Sequence, residues 1–289
     1  MAPRQDEPLS HRRLTGLATL LVHAEPPPSS SARVALAAQL AREAGGLVIG
    51  VGAEAVDAAF TAAPYGGGMI PPDWLAAAQV QIDHNLAASE AAFRQDAGDA
   101  PTEWRQANTF PDHALVELSR AADLIVMNPL PEEASSYRSA SPTEVVMNSG
   151  RPVLIAPPDA RSLRAETVVV GWKDTREARR AVSDAMPFLT AAETVVVTAI
   201  CDARDMERVG GEAEDVAAML RRRGAQARTH VTTGADETVA EELDRIAETL
   251  GAQLIVTGAY GHSRLSEWVF GGVTRTLLMR PRRFVLASH

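Results

Sequence analysis

The chain has 289 residues, a length that favours two domains over one. Hydrophobic residues make up 46% of it and charged residues 22%, which supplies apolar surface for packed cores and excludes a chain that is disordered throughout. The 28 lysines and arginines against 37 aspartates and glutamates leave a net charge of −9. Because an acidic surface repels phosphate backbones and anionic lipid, we expect neither nucleic acid nor membrane as a partner.

The cysteine content and the hydropathy of the chain together indicate a location. Cys201 is the only cysteine, so no internal disulfide can form. No apolar run approaches the roughly 20 residues that span a bilayer, and residues 1–16 lack the apolar stretch of a secretory signal. These observations predict a cytoplasmic protein.

Short apolar runs alternate with helical patterns through the first half of the chain, after a polar tail at residues 1–13. The run at residues 17–23 is too short for a helix and predicts a buried strand. Residues 29–45 then carry apolar residues at helical spacing and end at two glycines, which predicts a helix. The same order continues with predicted strands at 47–51, 102–107, 123–127 and 152–156 and predicted helices at 73–97, 112–122 and 144–149.

The second half repeats this order. Predicted strands cover 167–172, 194–200, 227–231, 253–257 and 284–287, and predicted helices cover 175–189, 212–223, 236–250 and 273–279. A duplicated α/β unit explains the repetition, and strands that alternate with helices imply parallel pairing with helices on both faces. We therefore expect two tandem flavodoxin-like or Rossmann-like domains, at 14–158 and 166–289, each with a five-stranded, mostly parallel sheet flanked by helices.

The loop after the fourth strand of the second half is rich in glycine. Open parallel sheets bind ligands beyond the carboxyl ends of their strands, where the strand order reverses, and this loop lies at such a place. It contains Gly258, Gly261 and the pair Gly271 and Gly272, which opens a predicted helix. Tight turns would explain any one of these glycines. Together they predict a phosphate site, because glycine lets the backbone approach a ligand and free N–H groups at a helix start attract anions.

At this point the sequence resembles the universal stress protein family over nearly the whole chain, most strongly at residues 253–289. Nucleotide-binding members carry G-x2-G-x9-G-[ST] between the fourth strand and the last helix, and Gly258, Gly261 and Gly271 match this spacing. The resemblance implies that these glycines and the next two N–H groups hold a triphosphate.

The residues that follow Gly271 depart from the family pattern at one position. Gly272 replaces the usual Ser or Thr, which removes one hydrogen bond of about 1 kcal/mol and weakens the implied site. Val273 and Thr274 fit the usual continuation, and the N–H groups of Gly272 and Val273 belong to the implied phosphate site.

Other positions correspond to those that contact the adenine base or the phosphate groups in nucleotide-binding members. Where adenine-binding members place an aspartate after the first strand, this chain has Lys173, followed by Asp174. Lysine has donors and no acceptor, so either the loop shifts to present Asp174 or adenine specificity is relaxed. Ile200 falls where the family's second strand packs on the base, and it fits a core position equally well. His262 and Arg264 lie inside the glycine loop, as phosphate contacts or as exposed loop residues.

The first half lacks these features. Its loop after the fourth strand has no glycine pair and contains Glu132 and Glu133, whose carboxylates would repel phosphate, so we expect this half to hold no nucleotide. The resemblance also implies that the two halves pack about a pseudo-twofold axis with their last strands facing each other. The chain would then be an intramolecular pseudo-dimer, and a homodimer of whole chains is left open.

Three functions remain open. The first is a stress-response protein that binds ATP or a related adenine nucleotide, with Mg²⁺ if any, and has a regulatory role; any ATPase activity would be slow, because no general base is evident. The second is a ligand-free interaction scaffold with an unknown protein partner, favoured by Lys173 and Gly272. The third is an enzyme or binder for an acidic metabolite, with Lys173 as the acid clamp. No catalytic residue or metal ligand is predicted, because hydrolase and zinc motifs are missing.

Overall fold

The computed structural model describes residues 14–56, 72–130, 135–234, 239–259 and 277–289. The strands are β1 (Thr19–His23), β2 (Leu47–Ala53), β3 (Thr102–Ala107), β4 (Leu124–Met127), β5 (Val153–Ile155), β6 (Thr167–Gly171), β7 (Thr194–Cys201), β8 (Ala227–Thr233), β9 (Leu254–Gly258) and β10 (Phe284–Ser288). The helices are α1 (Ser31–Ala44), α2 (Pro72–Ala97), α3 (Pro111–Leu118), α4 (Pro142–Asn148), α5 (Arg176–Asp184), α6 (Met186–Ala191), α7 (Met206–Arg222) and α8 (Val239–Thr249). Of the helices in these ranges, none is long and apolar enough to cross a bilayer.

The strands form one continuous sheet in the order β3-β2-β1-β4-β5-β10-β9-β6-β7-β8. Neighbouring strands are parallel except β5 and β10, which are antiparallel at the centre, where Leu154 lies opposite Leu286. The predicted α/β fold is confirmed, and the two last strands face each other. Because β5 and β10 run in opposite directions, the carboxyl ends of the two halves point to opposite edges of the sheet.

Helices cover both faces of the sheet. Strand side chains alternate between two cores, as the pleat requires. On β6, Val168 and Val170 face the core that contains α1, α2, α5 and α7, whereas Val169 faces the core that contains α3, α4 and α8. Burial on both faces explains why these strands read as continuous apolar runs in the sequence.

Two helices of the second half differ from the sequence prediction. The predicted helix at 175–189 is two helices, α5 and α6, which meet at Ala185. Pro187 has no N–H to donate, and it lies in the first turn of α6, where that loss is tolerated. The predicted helix at 212–223 begins earlier, at Met206, and includes Gly210 and Gly211 despite their low helix propensity.

Candidate functional site

The carboxyl ends of β6 and β9 lie side by side in the second half. The two strands pair in register from Val168 and Leu254 to Gly171 and Thr257. After β6 the chain continues to β7, which lies next to β6 on the side away from β9. After β9 the chain continues to β10, which lies next to β9 on the side away from β6. This is the kind of switch point at which open α/β sheets bind ligands.

Gly258, the last residue of β9, packs directly against the first turn of α5. A Cβ atom added to Gly258 would lie 2.5 Å from the Ala178 nitrogen and 2.6 Å from the Glu177 carbonyl carbon. Both are backbone atoms, which cannot move aside as a flexible side chain can. Glycine at 258 therefore allows the end of β9 and the start of α5 to approach each other.

The first turn of α5 pairs several of its polar groups with one another. Thr175 is the N-cap residue, and its hydroxyl accepts a hydrogen bond from the Ala178 N–H at 3.2 Å. Burial alone would raise the pKa of the Glu177 carboxyl, but hydrogen bonds from Arg176, from its own N–H and from Thr175 hold that pKa below its ordinary value. This turn therefore holds a buried carboxylate and a capped N–H group, and it is a poor place for a phosphate.

The Asp174 carboxylate is already engaged within the chain. Its Oδ1 accepts from the Arg179 Nε at 3.0 Å and from the Arg179 Nη2 at 2.6 Å. The Thr175 N–H donates to the Lys173 carbonyl at 2.7 Å, and the side chains of Lys173 and Asp174 are both exposed. The structure thus places Lys173 and Asp174 at the switch point, with Asp174 in an ion pair.

Ile200 reaches the same edge of the sheet near the end of β7. It is half-buried and packs on the core that contains α8. A Cβ atom added to Gly234 would lie 2.7 Å from its Cγ2, so the end of β8 packs closely against it. Two residues before it, the Thr198 hydroxyl is buried with no hydrogen-bond partner among the described residues. Core packing accounts for much of the Ile200 surface.

An unpartnered hydroxyl also lies beside Gly258. Ser288 on β10 pairs with Gly258, and its hydroxyl is buried without a partner in the described ranges. The Ala259 N–H donates to the Ser288 carbonyl at 2.8 Å, and the His289 Nδ1 lies 3.0 Å from the Ala259 carbonyl oxygen. The sequence pattern did not indicate Ser288; its place at the carboxyl end of the last strand was the one available signal.

The other candidates from the sequence lie outside the described residues. They are Gly261, His262, Arg264, Gly271, Gly272, Val273 and Thr274. The described chain resumes with a helical segment at residues 277–279, whose Leu277 and Leu278 are buried in the core that contains α8. Part of the predicted helix at 273–279 is therefore observed.

The corresponding edge of the first half carries a largely buried cluster of ionisable side chains. The Arg33 Nη2 lies 3.0 Å from the Glu25 Oε2, and the Arg33 Nε donates to the His23 carbonyl at 2.7 Å. Burial lowers the pKa of His23 to about 4, which Glu25 counteracts only in part. Burial alone would raise the pKa of Glu25, but Arg33, His23 and Ser139 together hold it below its ordinary value.

A second buried carboxylate, Glu54, follows β2 at this edge. It accepts hydrogen bonds from the Asn85 Nδ2 at 2.9 and 3.1 Å and from the Arg138 Nε at 2.7 Å. The first half thus has internally paired carboxylates at the edge where the second half has Gly258. Within the described part of the chain, no group of three or more His, Cys, Asp or Glu side chains is arranged to hold a metal ion.

Known proteins resemble both halves of the chain in fold. A universal stress protein from Archaeoglobus fulgidus DSM 4304 is 14% identical, with a TM-score of 0.65 over 96% of this chain and 97% of that chain. A functionally unknown protein from Pseudomonas aeruginosa PAO1 is 13% identical, with a TM-score of 0.54 over 94% of this chain and 92% of that chain. No curated protein matches the sequence.

A shorter known protein and a family model also match parts of the chain. A universal stress protein solved in complex with cAMP is 25% identical, with a TM-score of 0.35 over 43% of this chain and 96% of that chain. The family model described as the universal stress protein family matches residues 164–286, which include both β6 and β9. The C-terminal half of this chain, residues 164–286, therefore belongs to the universal stress protein family.

Proposed function

We propose that the second half of the chain binds an adenine nucleotide, with ATP as the first candidate, and that the bound state regulates contacts with a protein partner in a stress response. The observation that carries this proposal is the switch point between β6 and β9, where Gly258 ends β9 against α5. The loop that begins at Gly258 has the glycine spacing of the nucleotide-binding members that the sequence resembles.

The phosphate groups would be held by the loop at residues 258–274, with Mg²⁺, if present, bound mainly through the phosphates. Because the first turn of α5 is capped and contains the Glu177 carboxylate, the N–H donors must come from this loop. The Ser288 hydroxyl would add a donor beside Gly258. Leaving such a hydroxyl buried and unpaired costs about 1–3 kcal/mol, which a ligand oxygen would offset.

The base would lie against Ile200 and the loop between β6 and α5. The Asp174 carboxylate can accept from an adenine amino group if Arg179 shares or releases it. An exposed ion pair is worth about 0–1 kcal/mol, so this exchange costs little. We therefore propose nucleotide binding with relaxed base specificity and, because no general base is identified, at most slow ATP hydrolysis.

The two halves would divide the work. We treat 14–158 and 166–289 as the domains, with the second as the sensor and the first as a scaffold. The paired carboxylates of Glu25 and Glu54 at the equivalent edge of the first half would repel phosphate. A homodimer of whole chains would add a further regulated interface.

Isothermal titration of the whole chain with ATP, ADP and AMP tests the proposal. We expect saturable ATP binding in the micromolar range and its loss in Gly261→Asp with the circular dichroism spectrum unchanged. Gly210→Asp is the matched control, because it makes the same exchange on α7, where an added Cβ meets nothing within 4 Å. A titration with no heat at millimolar ATP would refute the proposal.

A ligand-free interaction scaffold is the second candidate. The ion pair between Asp174 and Arg179 favours it, because that pair already engages the carboxylate proposed to read the adenine. Gly258 would then be required for its contact with α5 alone. Under this function neither the unmodified chain nor Gly261→Asp gives heat with any of the three nucleotides.

A further inference from the structure

A groove of about 350 Å³ lies between α5 and α7. Its floor is apolar and is formed by Trp172, Val182, Val216 and Met219. Trp172 follows β6 and belongs to the same core as Val170, so its ring lies on the α5 and α7 face of the sheet. The volume is within the range of pockets that take small organic molecules.

The indole N–H of Trp172 is a buried donor without an acceptor in the described part of the chain. The residue is only 8% exposed, so bulk water does not readily replace a missing partner. Buried tryptophan N–H groups normally have an acceptor. Because Trp172 lines the groove, a turn of its ring toward the groove would bring this donor to an acceptor atom on a molecule bound there.

The rim of the groove is acidic. Asp174, Glu212 and Asp215 line it, together with Arg179. Arg179 pairs with Asp174, and Arg208 pairs with Glu212 at 2.6 Å. Asp215 is exposed, and the described ranges contain no ion pair to its carboxylate. The rim therefore keeps an excess negative charge.

We propose that this groove binds a small organic cation, an amine with an apolar body and a hydrogen-bond acceptor. The floor would take the body, the Trp172 N–H would donate to the acceptor, and the Asp215 carboxylate would attract the ammonium group. The groove shares Asp174 and Arg179, at its rim, with the proposed base site, but its floor lies on the α5 and α7 face of the sheet, whereas Ile200 packs on the opposite face.

Tyramine is the probe, because it has a phenol oxygen as acceptor and an ammonium group. The readout is the indole N–H resonance of Trp172 in the ¹⁵N-labelled whole chain. We expect a saturable shift at millimolar tyramine, as befits so small a ligand. The matched probe is 4-hydroxyphenylacetate, in which a carboxylate replaces the amine, and it should cause no shift. Trp172→Phe assigns the resonance; if that variant does not fold, assignment of the other three tryptophans leaves Trp172 by elimination.

Two charge variants of α7 test the role of the rim. Asp215→Asn should weaken tyramine binding about two- to fivefold. Glu214→Gln removes the same charge from an exposed carboxylate that pairs with Arg221 and is not among the groove residues, so it should leave the affinity unchanged. Three results would each overturn the proposal: no saturable shift at tens of millimolar, equal binding of both probes, or wild-type affinity in Asp215→Asn. Gly261→Asp should not affect tyramine, so this proposal and nucleotide binding fail independently.

Discussion

At the scale of single residues, Gly258 has no room for a side chain. In Gly258→Ala the new Cβ would lie 2.5 Å from the Ala178 nitrogen, so the end of β9 or the start of α5 must shift. Overpacking of this kind costs about 1–3 kcal/mol, and we expect the free energy of unfolding in urea to fall by that amount.

Gly211→Ala is the matched control for Gly258→Ala. Gly211 lies on α7 with open space where its Cβ would be, so alanine should stabilise the helix by up to about 1 kcal/mol. If Gly258→Ala were as stable as the unmodified chain, the contact between β9 and α5 would be looser than the structure shows.

His23 makes stability depend on pH in the acid range. Burial lowers its pKa to about 4 from the ordinary 6.5. Between these values the unfolded chain binds a proton that the folded chain excludes, so the free energy of unfolding falls as the pH drops through this window. At about 1.4 kcal/mol per pKa unit, the loss approaches about 3 kcal/mol near pH 4.

Urea unfolding at several pH values between about 7 and 5 isolates this effect, because Glu25 loses its own stabilising charge only at lower pH. His23→Gln should flatten the dependence in that range. His84→Gln, which removes an exposed histidine from α2, should leave it unchanged. Equal slopes for His23→Gln and the unmodified chain would show that His23 can be protonated in the folded state.

At the scale of secondary-structure elements, α5 depends on its N-cap. Thr175→Ala removes the hydroxyl that accepts from the Ala178 N–H, and we expect a loss of about 1 kcal/mol in the free energy of unfolding. Thr175→Ser keeps an acceptor at the same place and should retain most of the stability. Equal losses in the two variants would assign the effect to the methyl group rather than to the cap.

Helix limits show which element features the sequence could predict. The alanine-rich stretch predicted α2, and the alternating apolar runs predicted the order of strands and helices along the chain, because these patterns extend over many residues. The sequence did not show the break at Ala185, because Pro187 disrupts a helix interior but is tolerated in the first turn of a new helix. It did not show the early start of α7 either, because Gly210 and Gly211 have low helix propensity and nevertheless lie inside the helix. The intrinsic preferences of these residues alone therefore do not fix where a helix begins or ends.

At the scale of the whole molecule, contacts between distant segments account for what the sequence left out. The repeated order of strands predicted the fold, and the glycine spacing pointed to Gly258. The cluster of His23, Glu25 and Arg33 joins the end of β1 to α1, and the groove beside Trp172 forms only when α5 and α7 pack together. The available signal for the cluster was Arg33, an arginine among the apolar positions of a predicted helix. The available signal for the groove was that Trp172 lies two residues after Val170 and so faces the same side of the sheet.

The outermost strands of the sheet and its central strand β10 differ in polarity. The outermost strands, β3 and β8, carry several exposed polar side chains, which discourages further strand pairing. The central strand β10 is buried along its length and is covered by β5 at three register pairs, from Val285 and Ile155 to Ala287 and Val153. Separating the halves would therefore expose an apolar edge strand.

We expect the isolated segment 166–289 to fold and to dimerise through this edge, because an unpaired strand with buried side chains readily finds a second strand. Light scattering after size exclusion should give the dimer mass, with circular dichroism as the check on folding. Addition of the segment 14–158 should convert the dimer to a heterodimer, because β5 of that segment and β10 of a second copy compete for the same free edge of β10. A folded segment 166–289 that stays monomeric at all concentrations would show that the contact between β5 and β10 contributes little to holding the two halves together.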